Sequence, residues 1–270
     1  MKDPTGLLDE MRAFAPEKGH LAFWWLGQMG FGMKLAGKLL LLDAFLSPHP
    51  NRTVPPAVDV MASRSADLVF GTHDHVDHID RKAWAQIAKA SPHTLFVVPE
   101  LHRQSVTDQL EISAERVIGV DEDRPVAVDG ITIRSIPSAH EFLDTDPATG
   151  LHPHLGYILE ADGLRIYHAG DSTIYEGMHT KLKAHAPLDV MFVPINGRDG
   201  ARYRRNLIGN MTAQEAVDLV GTLRPKLAVP GHYDMFVANP GDPNLFADYL
   251  DAKYPGVPCW TGEHFVRVDV

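Results

Sequence analysis

Three histidines and an aspartate fall within six consecutive positions of the chain. His73, His75, Asp77 and His78 form the pattern His-x-His-x-Asp-His. Neutral imidazole and carboxylate bind zinc, manganese and iron, and this density of ligands is typical of a metal-binding turn. A polar surface loop is the alternative interpretation, and the neighbouring elements favour metal binding over it.

The turn lies between a predicted strand and a predicted helix. Residues 67–72 form a short apolar run suited to a buried strand, and residues 81–90 place Trp84, Ile87 and Ala88 on one helical face. A tight turn between two such elements allows the side chains of the motif to converge on one point.

Three further metal-competent residues each follow a predicted strand. His140, Asp171 and His232 come directly or within a few residues after apolar segments. Ligands gather at one edge of a sheet when separate strands each end in such a residue. Taken singly, each could be a hydrogen-bonded structural residue. Their joint spacing after the dense motif predicts a single site.

These motifs resemble those of the metallo-β-lactamase superfamily, and the resemblance spans nearly the whole chain. It rests on Thr72 to His78, His140, Gly170-Asp171-Ser172 and Gly231-His232. It implies an α/β (α+β) fold, an αββα sandwich of two mixed β-sheets flanked by helices.

The same resemblance implies a division of the ligands between two metal ions. One ion would be bound by His73, His75 and His140. The other would be bound by Asp77, His78 and His232, and Asp171 would bridge the two.

A narrower resemblance is to the ascorbate-6-phosphate lactonase branch of that superfamily, the UlaG-like proteins. It rests on four segments: Phe23 to Gly27, Thr72 to Asp80, Tyr167 to Ser172 and His232 to Phe236. It implies a lactonase. The substrate and the number of metal ions stay open, because this chain has His140 where the lactonase has no histidine.

Two divalent ions would hold a bridging water and lower its pKa from about 15.7 towards about 7, which supplies a metal-bound hydroxide. Asp77 is the candidate to orient this nucleophile and to carry a proton to the leaving group. Tyr233, next to a ligand, is either a hydrogen-bond donor to the developing oxyanion or a packing residue. Zinc or manganese would suit the ligands, and iron is also compatible.

An arginine-rich loop follows the predicted strand at residues 190–195. Four of the chain's 25 basic residues fall between positions 198 and 205. Because the guanidinium fork suits phosphate and carboxylate, Asn196, Arg198 and Arg202 are predicted to bind an anionic substrate. A solvated surface loop or a subunit contact explains the cluster equally well.

Length, composition and charge predict the domain number, the partners and the location of the protein. No linker or composition shift divides the 270 residues, so we predict a single metallo-β-lactamase-fold hydrolase domain over residues 1–270. The net charge of −10 argues against a nucleic-acid partner. Glycines and lysines interrupt the apolar stretch at residues 21–46, which argues against a membrane span. The lone Cys259 and the lack of a recognisable signal peptide predict a cytoplasmic location.

The sequence therefore predicts a metal-dependent hydrolase, in the first place a lactonase acting on a small anionic, sugar-phosphate-like lactone. A phosphodiesterase acting on a cyclic nucleotide or another phosphodiester is the enzyme alternative, because the same site serves both reactions. A non-catalytic metal- or ligand-binding protein is the second alternative, and the complete ligand set disfavours it. A homo-oligomer is compatible with the sequence. The loop predicted over residues 47–65 is either a wall of the substrate pocket or a plain connector.

Overall fold

The first β-sheet is built from the N-terminal half of the chain and the last strand. In the computed structural model, residues 6–57, 66–122 and 124–270 are described. The strands of this sheet are β1 (Ala22–Gly27), β2 (Gly30–Leu35), β3 (Lys38–Leu42), β4 (Leu68–Phe70), β5 (Leu95–Pro99), β6 (Val117–Val120) and β13 (Arg267–Asp269). Their order is β13-β1-β2-β3-β4-β5-β6. The pairs from β13 to β3 are antiparallel and those from β3 to β6 are parallel.

The second sheet comes from the C-terminal half. Its strands are β7 (Val126–Val128), β8 (Ile131–Pro137), β9 (Leu155–Ala161), β10 (Leu164–His168), β11 (Val190–Pro194) and β12 (Leu227–Gly231). Their order is β12-β11-β10-β9-β8-β7. β7 to β10 pair antiparallel, whereas β10, β11 and β12 are parallel. Both sheets are therefore mixed.

Helices flank the two sheets. They are α1 (Leu7–Ala13), α2 (Arg81–Ala90), α3 (Glu100–Leu110), α4 (Met178–Lys183), α5 (Gly200–Tyr203), α6 (Ala213–Leu223) and α7 (Pro243–Lys253), with a 3-10 turn at Ala114–Arg116. A capping box between Thr212 and Glu215 begins α6, since each side chain accepts a hydrogen bond from the other residue's backbone N–H. Within the described ranges, no helix has the length and apolar character needed to cross a membrane.

The alternation of side chains along β1 supplies both halves of the core. Phe23 and Trp25 belong to the cluster between the two sheets, where Phe23 meets Phe192 of the second sheet edge to face at 5.2 Å. Trp24 and Leu26 point the other way, into the cluster under the helices of the first sheet. Every residue of β1 is consequently buried, and Phe23 packs the first sheet against the second.

The predicted fold class is confirmed. Strand β4 before the metal turn, helix α2 after it and strand β11 at residues 190–194 lie where the patterns predict them. The short helices α4 and α5 were missed, because four to six residues carry too little periodicity to predict a helix. The predicted loop at residues 47–65 is described as far as residue 57, and residues 58–65 lie outside the described ranges. The single-domain assignment stays a prediction.

Candidate metal centre

The histidine-rich motif occupies the turn between β4 and α2, as predicted. Asp80 fixes the end of this turn, because its carboxylate accepts hydrogen bonds from the backbone N–H of Ala83, at the start of α2, and from those of Leu46 and Ser47. The turn is also too tight for a side chain at Gly71. A Cβ atom there would lie 2.3 Å from Cγ1 of Ile79.

His73, His75 and His140 form the first group of converging ligand atoms. Nδ1 of His75 lies 2.9 Å from Nε2 of His73 and 3.3 Å from Nε2 of His140. A tetrahedral zinc ion with Zn–N bonds of about 2.0–2.1 Å separates its ligand atoms by about 3.3 Å. The three nitrogens therefore have a spacing that a metal ion can bridge.

Asp77, His78 and His232 form a second such group. Oδ2 of Asp77 lies 3.8 Å from the Nε2 atoms of both His78 and His232. Asp171 stands between the two groups. Its Oδ1 is 3.4 Å from Nε2 of His78, and its Oδ2 is 3.1 Å from Nε2 of His232 and 3.9 Å from Nε2 of His140. This carboxylate can bind ions in both groups at once.

Several of these atoms are buried without a hydrogen-bond partner. They include Nε2 of His78, Nε2 of His232 and Oδ1 of Asp171. A buried polar atom without a partner is costly, and proteins tolerate it where a ligand or ion satisfies it. Because these unpartnered atoms lie around the second group and Asp171, the donor set fits divalent metal ions in chemistry and spacing.

The electrostatics of the site separate its histidines into two kinds. Burial lowers the pKa of His140 to about 4, and burial with the nearby His78 lowers that of His73 well below its usual value. Both rings are therefore neutral at pH 7 and have free lone pairs. Burial also disfavours the charged form of His78, yet Asp43 and Asp171 raise its pKa well above the usual value.

Asp43 is a part of the site that sequence reasoning missed. It directly follows β3, and its buried Oδ2 lies 2.6 Å from Nδ1 of His78. The same carboxylate accepts hydrogen bonds from the backbone N–H and the hydroxyl of Thr72, at 2.8 and 2.7 Å. A carboxylate on the second ring nitrogen fixes the orientation and tautomer of a metal-binding histidine. The signal was its place at a strand end, like that of the other ligands.

Gln28, in the turn between β1 and β2, contacts His232 through both its backbone and its side chain. Its carbonyl oxygen accepts a hydrogen bond from the His232 N–H at 2.9 Å, and its Nε2 lies 3.5 Å from Nδ1 of that ring. Gln28, Asp43 and His232 all have positive φ, at 52°, 43° and 60°. Such backbone is uncommon outside glycine and concentrates at functional sites.

A cavity of about 860 Å³ opens over the two groups of ligands. His75, Asp77, His140, Asp171 and His232 form its floor. Its walls come from three loops, at residues 49–53, 205–208 and 236–239. The first and third are joined, since Arg52 and Phe236 form a β-bridge and the Thr53 N–H donates to the Met235 carbonyl at 2.7 Å. The described part of the loop predicted at residues 47–65 thus does shape the cavity.

The predicted substrate-binding residues lie outside the lining of this cavity. Arg198 donates two hydrogen bonds to the Glu215 carboxylate, at 2.7 and 2.6 Å. Arg202 pairs with Asp199 and also donates to Oδ1 of Asn239 at 3.1 Å.

Asn196 and Tyr233 are both buried. The side-chain amide of Asn196 donates to Oδ1 of Asn239 at 3.0 Å and accepts from that of Asn210 at 3.1 Å. The ring of Tyr233 packs against Trp25, with ring centroids 4.8 Å apart. The ring of Tyr233 thus has a packing role, and its role as a hydrogen-bond donor to the oxyanion stays a prediction.

Two other histidines, His168 and His154, lie close to the two groups of ligands. His168 is fully buried and lies 2.8 Å from the Met29 carbonyl oxygen through Nε2, so it anchors the turn between β1 and β2. His154 packs behind the ligands, with its ring centroid 5.2 Å from that of His73 and 5.4 Å from that of His140. Neither ring belongs to the two converging groups.

Comparisons with known proteins agree with this geometry. A family model described as β-lactamase superfamily domain matches residues 39–233. A UPF0173 metal-dependent hydrolase of Thermococcus onnurineus is 29% identical over 245 residues, which cover 91% of this chain and 95% of that protein.

Two solved structures share the fold at low sequence identity. Igni18, a metallo hydrolase from Ignicoccus hospitalis, has a TM-score of 0.72 at 22% identity and covers 93% of this chain and 98% of that one. A possible metal-dependent hydrolase from Veillonella parvula has a TM-score of 0.72 at 16% identity and covers 92% of this chain and 98% of that one.

Proposed function

The chain belongs to the metallo-β-lactamase superfamily and is a metal-dependent hydrolase of that family, and we propose that it hydrolyses a lactone or a simple carboxylic ester with two divalent ions. The likeness of several segments to the lactonase branch supports the lactone. Zinc and manganese suit the imidazole and carboxylate ligands, and iron is also compatible with them.

The observation that carries this proposal is the position of Asp171 between two complete groups of ligands. Each group contributes three side chains, and Asp171 reaches both within 4 Å. The groups lie on the floor of an open cavity, so a substrate can approach them from solvent. A purely structural metal site would be closed off by its own ligands.

The residues of the site would have separate roles in hydrolysis. Bound divalent ions would lower the pKa of a coordinated water towards neutrality and polarise the substrate carbonyl. Asp77 lines the cavity, and its carboxylate would orient the attacking water and accept its proton for delivery to the leaving alkoxide. Asp43 would keep His78 in its binding orientation, and the Gln28 carbonyl would hold the backbone of His232 in place.

Metal analysis and turnover, measured together, test this proposal. The purified protein is loaded with zinc or manganese, its metal content is quantified, and γ-butyrolactone, γ-octalactone and bis(p-nitrophenyl) phosphate are offered separately. We expect about two ions per chain and metal-dependent lactone hydrolysis. Turnover of the diester alone would instead identify a phosphodiesterase. Metal binding with no hydrolysis of any ester would indicate a binding protein.

The variant Asp171→Ala tests the bridging role directly. We expect it to lose metal and activity together, because the carboxylate faces both ligand groups. Exposed Asp144, replaced by alanine, is the matched control, since it lies outside both groups and outside the cavity lining. Full activity of Asp171→Ala would contradict the arrangement with two ions.

A further inference from the structure

We infer that the substrate has an uncharged, apolar arm that lies against one wall of the cavity. This inference rests on the proposed function and adds the chemical class of the substrate. The arm would be an alkyl or aryl group attached to the ring of a lactone or to the acyl carbon of an ester. It would extend from the ligand groups along Leu207, Ile208, Phe236 and Val237.

The first argument is the chemistry of this wall. Leu207 and Ile208 come from the loop after α5, and Phe236 and Val237 come from the loop after β12. Val76, between two ligands of the metal turn, continues the apolar surface at the floor. Val237 is 78% exposed and Val76 is 56% exposed. An apolar group that covers exposed apolar side chains in a cavity removes their surface from water, and this stabilises the complex.

The second argument is that Arg52 of the lining is already engaged by the protein and that Arg205 is engaged in part. Arg52 donates to the backbone carbonyls of Val54, Phe45 and Ser47, at 2.6, 3.0 and 2.9 Å. Its guanidinium carbon also lies 4.9 Å from the centroid of the Phe45 ring. These contacts fix the loop at residues 49–53 and take up most of the donors that a phosphate would need.

Arg205, the other arginine of the lining, uses two of its five N–H donors on backbone carbonyls. Its Nε donates to the Ala201 carbonyl at 3.3 Å, and one terminal nitrogen donates to the Ala238 carbonyl at 3.1 Å. It therefore joins the two loops that carry the apolar wall. Among the described residues of the lining, lysine is absent. Among the arginines of the described lining, most of the donors left for a phosphate are therefore those of Arg205.

The wall is also held in place before any ligand binds. Phe236 is bridged to Arg52, and its ring lies edge to face with the ring of His49 at 5.6 Å. Arg202 donates to the carbonyl oxygen of Pro240, which anchors the end of the loop that carries Val237. A preformed apolar surface needs little ordering when the arm binds, so its area can contribute to affinity.

A series of lactones with growing alkyl arms tests the inference by turnover. The metal-loaded protein is offered γ-butyrolactone, γ-hexalactone and γ-octalactone, with 6-phosphogluconolactone for comparison. We expect kcat/KM to rise roughly threefold for each buried methylene, which gives about 100-fold between the first and the third lactone. The phosphorylated lactone should be a poor substrate.

Binding measurements test the wall independently of turnover. Acetohydroxamate and hexanohydroxamate carry the same metal-binding group, so the ratio of their Kd values reports the alkyl arm alone. We expect hexanohydroxamate to bind about 100-fold more tightly to the metal-loaded protein. In Leu207→Ser/Val237→Ser this Kd ratio should fall at least about tenfold. In Leu245→Ser, which changes a 45% exposed leucine outside the cavity, it should not change.

The outcomes separate the two proposals. Equal Kd values for the two hydroxamates, or the highest kcat/KM for the phosphorylated lactone, would overturn the apolar arm and leave the hydrolase standing. If no lactone is cleaved but hexanohydroxamate binds far more tightly, the lactone assignment fails and the apolar wall holds. A Kd ratio that Leu207→Ser/Val237→Ser does not alter would place the arm elsewhere.

Discussion

Replacing Asp43 by asparagine should weaken metal binding by about 10–100-fold while the side chain keeps its volume. The Asp43 carboxylate is buried and serves three donors: Nδ1 of His78 at 2.6 Å, and the N–H and hydroxyl of Thr72 at 2.8 and 2.7 Å. With Nδ1 donating to this carboxylate, Nε2 of His78 has a lone pair for a metal ion. The role of Asp43 is therefore to keep His78 in its binding tautomer.

An amide cannot serve all three donors in either orientation. If its NH₂ group faces the Thr72 N–H, two donors meet in a buried place, which costs about 1–3 kcal/mol. If the NH₂ group faces His78, the ring must accept at Nδ1 and carry its proton on Nε2, so the lone pair for the metal is lost. The expected 10–100-fold weakening corresponds to about 1.4–2.8 kcal/mol of binding free energy.

Competition with a chelator of known affinity measures the metal Kd of the wild type and of Asp43→Asn. Urea unfolding of the metal-free proteins shows how much of the change is loss of stability. Asp67→Asn is the matched control, because its carboxylate accepts a backbone N–H from Leu39 at 2.8 Å on the same sheet but away from the ligands. Wild-type metal affinity in Asp43→Asn would refute the role given to Asp43.

Three further substitutions or modifications test separate parts of the structure. Arg198→Ala should leave KM unchanged for every substrate tested, because the partly exposed arginine is paired with Glu215 outside the cavity lining. It should lower the free energy of unfolding in urea by less than about 1 kcal/mol. A raised KM would show that Arg198 does contact the substrate. Gly71→Ala should destabilise the protein by about 1–3 kcal/mol, since its Cβ would meet Ile79 at 2.3 Å, and an unchanged urea midpoint would contradict that packing. Burial raises the pKa of the Cys259 thiol to about 12. Iodoacetamide at pH 8 should therefore alkylate the native protein about 1,000-fold more slowly than the urea-unfolded protein, and equal rates would contradict this.

The positions of the ligands were predictable because a short-range pattern encodes them. His140, Asp171 and His232 follow β8, β10 and β12, and strands of this kind are marked by apolar runs that a local window detects. Asp43 follows β3 in the same way, but an isolated aspartate after a strand is also a common turn residue. Only the packing of the first sheet against the metal turn brings it to His78. That contact joins residues 35 positions apart, so no local sequence pattern indicates it.

The arginine loop shows why local charge density did not predict which side chains line the cavity. The chain has 35 acidic residues against 25 basic ones, so an arginine is surrounded by carboxylates that compete for it. Glu215 forms the capping box of α6 with Thr212, and the same carboxylate also accepts two hydrogen bonds from Arg198. The direction of a long side chain depends on such partners, which lie on another element.

The apolar wall shows no local pattern in the sequence at all. Its members come as two short pairs from two separate loops, and only folding turns them into one surface beside the metal turn.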